Sequence, residues 1–336
     1  MDKKGPFTCK ELKSIAPGNQ VWGKYLILEK NSRRSKDGRE IINLKIGDAS
    51  DEIDVVVWDN CSVTGDMDNG ILIGLLGDMG NYNNRVQVTA RRIKVLDEDI
   101  TPYIKKPDID IASLTAEFRE MLAAINDPNI KALLEKIFTE EIREKFFHST
   151  AAKKVHHNYP GGLLEHTVTV TRLCRESAKN YPMVNQDLLV AGALLHDIGK
   201  MDEYEMKVVA DYTVEGKLVG HIILGVERIN TAINDIRRES GEFPAELELM
   251  IKHMILSHHG SLEFGSPVIP LFPEAFLLHM MDNLDAKMFV FCNKVNDEDG
   301  DKYFTNYDNF FGQQFFKYRY SRDEGEELPT KDSVED

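Results

Sequence analysis

Cysteine is scarce, and its placement excludes two kinds of protein. The four present (Cys9, Cys61, Cys174, Cys292) lie far apart with no C-x-x-C pair, so neither a disulfide scaffold nor a thiolate zinc site is expected. No stretch approaches the ~18 consecutive apolar residues of a membrane span. The opening MDKKGPFTCKELK also lacks an apolar signal core, so a soluble, cytoplasmic chain without a membrane partner is expected. Basic residues are in deficit, 41 Lys+Arg against 56 Asp+Glu, for a formal net charge of −15. That balance excludes a general coater of duplex DNA, and any nucleic-acid contact must come from a local basic face. Histidine is missing from the first 147 residues, and no repeat or low-complexity tract precedes the acidic tail.

The chain has 336 residues and a 42% hydrophobic fraction, an ordinary globular balance that predicts two domains. Residues 1–100 carry 15 Lys+Arg against 16 Asp+Glu, and the remainder 26 against 40. The acidity therefore lies in the second part, some of it in a tail at 321–336 where Asp323, Glu324, Glu326 and Glu327 cluster. This tail is expected to be solvated and flexible.

From Val21 to Leu96 the pattern is of short strands separated by turns: 21–29, 41–46, 53–58, 71–76 and 86–95, with Asp37-Gly38 as a hairpin signal. Five strands in under a hundred residues predict a small OB-type barrel over 1–100. Past Pro102 and Pro107 the periodicity turns helical. A helix through Leu114–Ile125 ends at Asp127-Pro128, and a second is predicted over Ile130–Phe147, forming a helical linker over 101–147. Further helices are expected at about 163–180, 187–199, 220–238, 245–258 and 272–293, a helical bundle within 148–320.

All ten histidines lie between positions 148 and 279. Imidazole and carboxylate donors without thiolate suit Mn, Fe, Ni, Co, Zn or Mg. An ionised Asp197 beside Leu194 and Leu195 is costly to bury unless paired or metal-bound. His166, His196, Asp197 and Asp282 would make one site, and Asp197 with His221 and His258 or His259 a second. Two such cations activate water and neutralise a phosphoryl group.

The ordered pattern H…HD…H…HH…D resembles the HD-domain metallophosphohydrolase superfamily. The strings HHNYPGGLLEHT, ALLHDIGK, GHIILG, ILSHHG and FPEAFLLHMMDNLDAK are similar to those of the YhaM-type 3′→5′ exoribonucleases. That resemblance implies an α+β multidomain chain, a five-stranded OB-type barrel followed by an all-α HD-domain bundle. It implies hydrolysis of single-stranded RNA or DNA from the 3′ end with two divalent ions, manganese first. It assigns His166, His196, Asp197 and Asp282 to the first ion and His221 and His258, with His259 less firmly, to the second. Gly162 stands where the trinuclear HD-GYP variant has a carboxylate, so two ions are expected at most. A small-nucleotide hydrolase, a di-iron oxygenase or a non-catalytic nucleic-acid adaptor are the rival readings.

Around that centre, Lys200 is a candidate catalytic cation for a phosphate oxygen or a surface lysine favoured by a helix dipole. His156 and His157 either donate to substrate phosphate or pack the helix entry. His148, His253 and His279 read as structural, though His279, one turn before Asp282, could instead fix that carboxylate from behind; Asp285, one turn after Asp282, either supports the ligands or the substrate or lies on a solvated helix face. In the barrel, Arg33, Arg34 and Arg39, with Lys36, flank the hairpin, and Arg85 and Arg91 mark the last strand. Trp22, Tyr25, Trp58 and Tyr82 serve either base stacking or the barrel core. A homo-oligomer stays open.

Overall fold

The computed structural model describes residues 5–34, 38, 40–82, 85–104, 109–152, 159–206, 210–297, 303–308 and 311–318. A short helix α1 (Cys9–Lys13) precedes strands β1 (Gln20–Arg34), β2 (Glu40–Gly47), β3 (Glu52–Val57), β4 (Ser62–Thr64), β5 (Leu72–Tyr82) and β6 (Arg85–Val95). β1 is long enough to serve two partners. Its first half pairs antiparallel with β5 (Val21 opposite Gly77), its second half with β2 (Arg34 opposite Glu40), and the register shifts between Ile27 and Glu29. β2 pairs with β3, β5 with β6, and a parallel β3–β6 pairing (Val55 opposite Val88) closes the ring. Five strands therefore close a barrel of OB type, with β4 added outside β6.

Alternation along each strand turns Val21, Leu44, Val55, Leu75 and Val88 into one core, and α1 adds Cys9 and Leu12 to it. A capping box between Thr8 and Glu11 starts α1. The sequence pattern did not show this helix. Tyr25 is core rather than a stacking surface: it is 1% exposed, and its hydroxyl donates to the Phe7 carbonyl at 2.7 Å.

A turn of 3-10 helix at Thr101–Tyr103 leads to α2 (Ile111–Ala123), α3 (Pro128–Ile137), α4 (Glu140–His148), α5 (Gly162–Ala178), α6 (Gln186–Leu195) and α7 (Lys200–Glu203). Strands β7 (Tyr204–Met206) and β8 (Ala210–Tyr212) form a small ribbon that the helical pattern did not show. Then follow α8 (Val214–Val219), α9 (His221–Ser240), α10 (Ala245–Ser257) and α11 (Pro273–Asp297). Among the described residues no helix is long and apolar enough to cross a membrane.

Two helix predictions need correction. Ile130–Phe147 is not one helix: α3 stops at Phe138, and Thr139 caps α4 by accepting from Ile142 N. The apolar spacing runs through the break because Phe118, Phe138, Phe146 and Phe147 pack as one aromatic cluster, mostly edge to face. The helix predicted over 187–199 ends at Leu195, and the chain turns before α7. α6 is buried on every side from Leu188 to Leu195, so it is the central helix of the bundle. Whatever follows its C-terminus is delivered into the interior.

Candidate metal centre

His196 and Asp197 follow the last turn of α6, and both are buried. His196 Nδ1 donates back to the Ala193 carbonyl at 2.7 Å, which leaves Nε2 as the free-lone-pair nitrogen. The same device recurs at the end of α10, where His258 Nδ1 donates to the Ile255 carbonyl at 2.7 Å. His166 projects from α5 with Nδ1 on Asp285 Oδ2 at 2.7 Å. His221 opens α9 with Nδ1 3.1 Å from Glu203 Oε2, and His259 Nδ1 donates to the Phe264 carbonyl at 2.8 Å. Each Nδ1 is thus tied outward, an arrangement that fixes tautomer and ring direction in metal sites.

The Nε2 atoms and carboxylates converge in two groups. His166 Nε2 lies 3.1 Å from His196 Nε2, 3.4 Å from Asp197 Oδ2 and 3.2 Å from Asp282 Oδ1. His196 Nε2 lies 3.3 Å from Asp197 Oδ2 and 3.8 Å from Asp282 Oδ1. Donors about 2.1 Å from one cation stand roughly 3.0–3.4 Å from each other, so all of these spacings but the longer His196–Asp282 one fit a shared ion directly. His221, His258 and His259 form the second group. Asp197 stands between the two, its Oδ1 3.6 Å from both His221 Nε2 and His258 Nε2.

Asp197 Oδ1, His221 Nε2 and His258 Nε2 are buried and lack hydrogen-bond partners. Three converging orphan acceptors are costly without a ligand, and a divalent cation satisfies all of them. The residues fit a pair of divalent ions.

The electrostatics keep most of these donors competent. Burial opposes ionisation of Asp197, yet the Lys200 ammonium and His196 hold its carboxyl well below the usual range. Burial likewise opposes the Asp282 charge, and His166 and His196 reverse it. Burial pushes His258 down, and burial with the neighbouring His258 and His221 pushes His259 down to about 3. His166 is raised: burial lowers it, but hydrogen bonds with Asp197, Asp282 and Asp285 prevail. A cation would take over that attraction to the carboxylates.

Lys200 is not a surface lysine. It is 7% exposed and its Nζ donates to Asp197 Oδ2 at 2.6 Å. Gly199 makes this turn possible, since a Cβ there would lie 2.0 Å from the His221 carbonyl. His279 Nδ1 meets the His258 carbonyl at 2.8 Å rather than Asp282. It packs under Gly260, whose φ of +78° forms the turn carrying His258 and His259.

Glu203 was missed by the sequence reading. It is buried and accepts from the His221 backbone N at 3.1 Å as well as facing its ring, and this partner outweighs burial to hold its carboxyl low. Its only signal is its place three residues past Lys200. His148 and His253 make backbone bonds, to the Glu144 carbonyl and from Leu271 N.

His156, His157, Lys36 and Arg39 lie outside the described residues. Arg33, Arg34 and Arg85 are exposed on the barrel. Arg91 is also exposed, but it is paired with Asp78 on the neighbouring strand, which weakens its claim on a phosphate. Trp22, Trp58 and Tyr82 are exposed rather than core.

Residues 163–287 match the HD domain family, so the helical stretch from α5 into α11 is an HD domain. The 3′-5′ exoribonuclease YhaM of Oceanobacillus iheyensis is 34% identical over 279 residues, 81% of this chain and 85% of that protein. The chain belongs to the YhaM family. Among solved structures, the second OB-fold domain of replication protein A from Methanococcus maripaludis aligns at 14% identity over 28% of this chain and 96% of that one, with a TM-score of 0.22. An OB domain from Methanosarcina mazei aligns at 19% identity over 29% and 89%, with a TM-score of 0.25. The barrel assignment stands on the strand order itself.

Proposed function

We propose that this chain is a metal-dependent 3′→5′ exonuclease that shortens single-stranded RNA, with DNA as a second substrate, to 5′-mononucleotides. The observation that carries the reading is Asp197, whose Oδ2 belongs to one donor group and whose unpartnered Oδ1 faces the other. A carboxylate shared between two cation sites is the core of two-metal phosphodiester hydrolysis. The YhaM relative, named a 3′-5′ exoribonuclease, supports the polarity and the substrate.

His166, His196, Asp197 and Asp282 would hold one ion, and Asp197 with His221, His258 and His259 the other. When bound, such a pair supplies a nucleophile at neutral pH and neutralises charge on the phosphoryl oxygens. The nitrogen–oxygen donor set accepts Mn, Fe, Ni, Co, Zn or Mg; manganese is the ion expected first. The outward Nδ1 bonds aim five imidazoles without reorganisation as the reaction proceeds. Lys200 places a cation beside Asp197 from a buried position, where its charge acts on an entering phosphate with little screening. His156 and His157 are proposed to donate to that phosphate. Arg33, Arg34 and Arg85, with exposed Trp58 and Tyr82, would hold the strand on the barrel.

The test is incubation of 3′- or 5′-labelled single strands with Mn²⁺, comparing wild type with Asp197→Ala. Stepwise loss from the 3′ end by wild type alone supports the reading. Intact strands beside hydrolysed mononucleotides would replace it with a small-nucleotide hydrolase.

A further inference from the structure

The two donor groups rest on different foundations. The first is carried by α5, the end of α6 and α11, with His166, His196 and Asp197 buried in the bundle. In the second, His221 follows residues 204–220, which form the β7–β8 ribbon and α8 between α7 and α9. Among the described residues of that segment only Ala210 and Gly216 are buried, and Val214 and Leu218 are 79% and 81% exposed. With so little packed against it, such a segment keeps its place mainly by hydrogen bonds.

Those bonds converge on α7. Thr213 N donates to the Glu203 carbonyl at 3.0 Å, and Thr213 Oγ1 donates to the Asp202 carbonyl at 2.8 Å. The same hydroxyl accepts from Gly216 N at 2.8 Å and so caps α8. Gly216 lies against the Glu203 main chain, where a Cβ would come within 2.3 Å of the carbonyl oxygen and 2.7 Å of Cα. Tyr204 stands opposite Tyr212 in the ribbon with ring centroids 5.0 Å apart, which fixes how the chain leaves Glu203. Gripped from this side, Glu203 extends its carboxylate to α9. There it accepts from His221 N at 3.1 Å, an end amide that Gly220 cannot cap with a side chain, and it faces His221 Nδ1 at 3.1 Å. His258 and His259 are instead held by carbonyls close by in sequence, those of Ile255 and Phe264.

We propose that Thr213 and Gly216 are positioning residues for the second cation: they seat residues 204–220 on α7 so that Glu203 meets His221, and they set the affinity of that ion without changing the first. The proposal rests on the two-cation reading of the centre. By linkage, the second ion orders in turn the segment that builds its site.

Mn²⁺ is titrated calorimetrically into metal-stripped full-length protein, wild type beside Thr213→Val and Thr213→Ser. Valine keeps the branched shape and loses both hydrogen bonds of the hydroxyl. It should weaken one of two binding steps roughly tenfold and leave the other unchanged, and serine should restore wild-type binding. Gly216→Ala should weaken the same step at least as much; the Thr213 pair decides where that variant does not fold. Hydrogen exchange read by mass spectrometry should show residues 211–221 gaining protection with the Thr213-sensitive step. Two unchanged steps in Thr213→Val overturn the proposal, and so does equal weakening of both, which would assign Thr213 to the fold alone. Protection already complete after the insensitive step overturns it as well. A wild type with a single Mn²⁺ step overturns the two-cation reading and the proposal with it. Since no strand is present, a wild type that shows two steps but never shortens single-stranded RNA with Mn²⁺ overturns the exonuclease reading alone.

Discussion

Asp197 Oδ1 faces His258 Nε2 across 3.6 Å in the interior of the helical domain, and neither atom has a hydrogen-bond partner. Two buried acceptors turned toward each other repel unless a cation lies between them. Asp197→Asn keeps the shape but gives up the charge shared by both groups. It should weaken Mn²⁺ binding by at least about a hundredfold and abolish nucleotide release. Calorimetric titration beside the labelled-strand assay checks this.

Glu203 acts on the second group alone, through His221. Glu203→Gln should weaken one of two Mn²⁺ binding steps roughly 10–100-fold and leave the other in place. Equal weakening of both steps would mean that Glu203 supports the fold rather than the ring.

Asp202 shows the same chemistry away from the centre. Burial disfavours its charge, but hydrogen bonds from Arg228 (2.5 Å) and Lys145 (3.1 Å) hold its carboxyl below the ordinary value. A depressed carboxylate stabilises the fold above its unfolded pKa, and that stability is lost as pH falls through the folded value. Wild type should therefore melt above Asp202→Asn at pH 7, and the gap should shrink on acidification below about pH 4.

Phe118 is the hub of the aromatic cluster and fully buried. Phe118→Ala should cost the helical domain about 3–5 kcal/mol. The barrel core shares no residue with that cluster, so a separate barrel transition in calorimetry should hold its position.

The sequence order alone singled out the histidines and aspartates that converge, because each stands at a helix end or on an apolar helix face where an unpaired polar group has no other use. Asp285 was legible for the same reason, one turn past Asp282. The partner of His279 was not legible, because the turn at Gly260, far off in sequence, decides what its ring meets. Glu203 could not be told from a solvated acid until α9 packed against α7. The break at Phe138 was hidden because a tertiary aromatic cluster continues the helical spacing across it. The pairing of Arg91 with Asp78 was not legible because Asp78 sits on the adjacent strand, and registry across strands is not written locally.

The most direct measurement is anomalous scattering from crystals grown with Mn²⁺. Two peaks, one beside Asp197 Oδ2 among His166, His196 and Asp282 and one beside Oδ1 among His221, His258 and His259, are predicted. A single peak touching only one of those oxygens, or ions bound elsewhere with these side chains unchanged, would contradict the account.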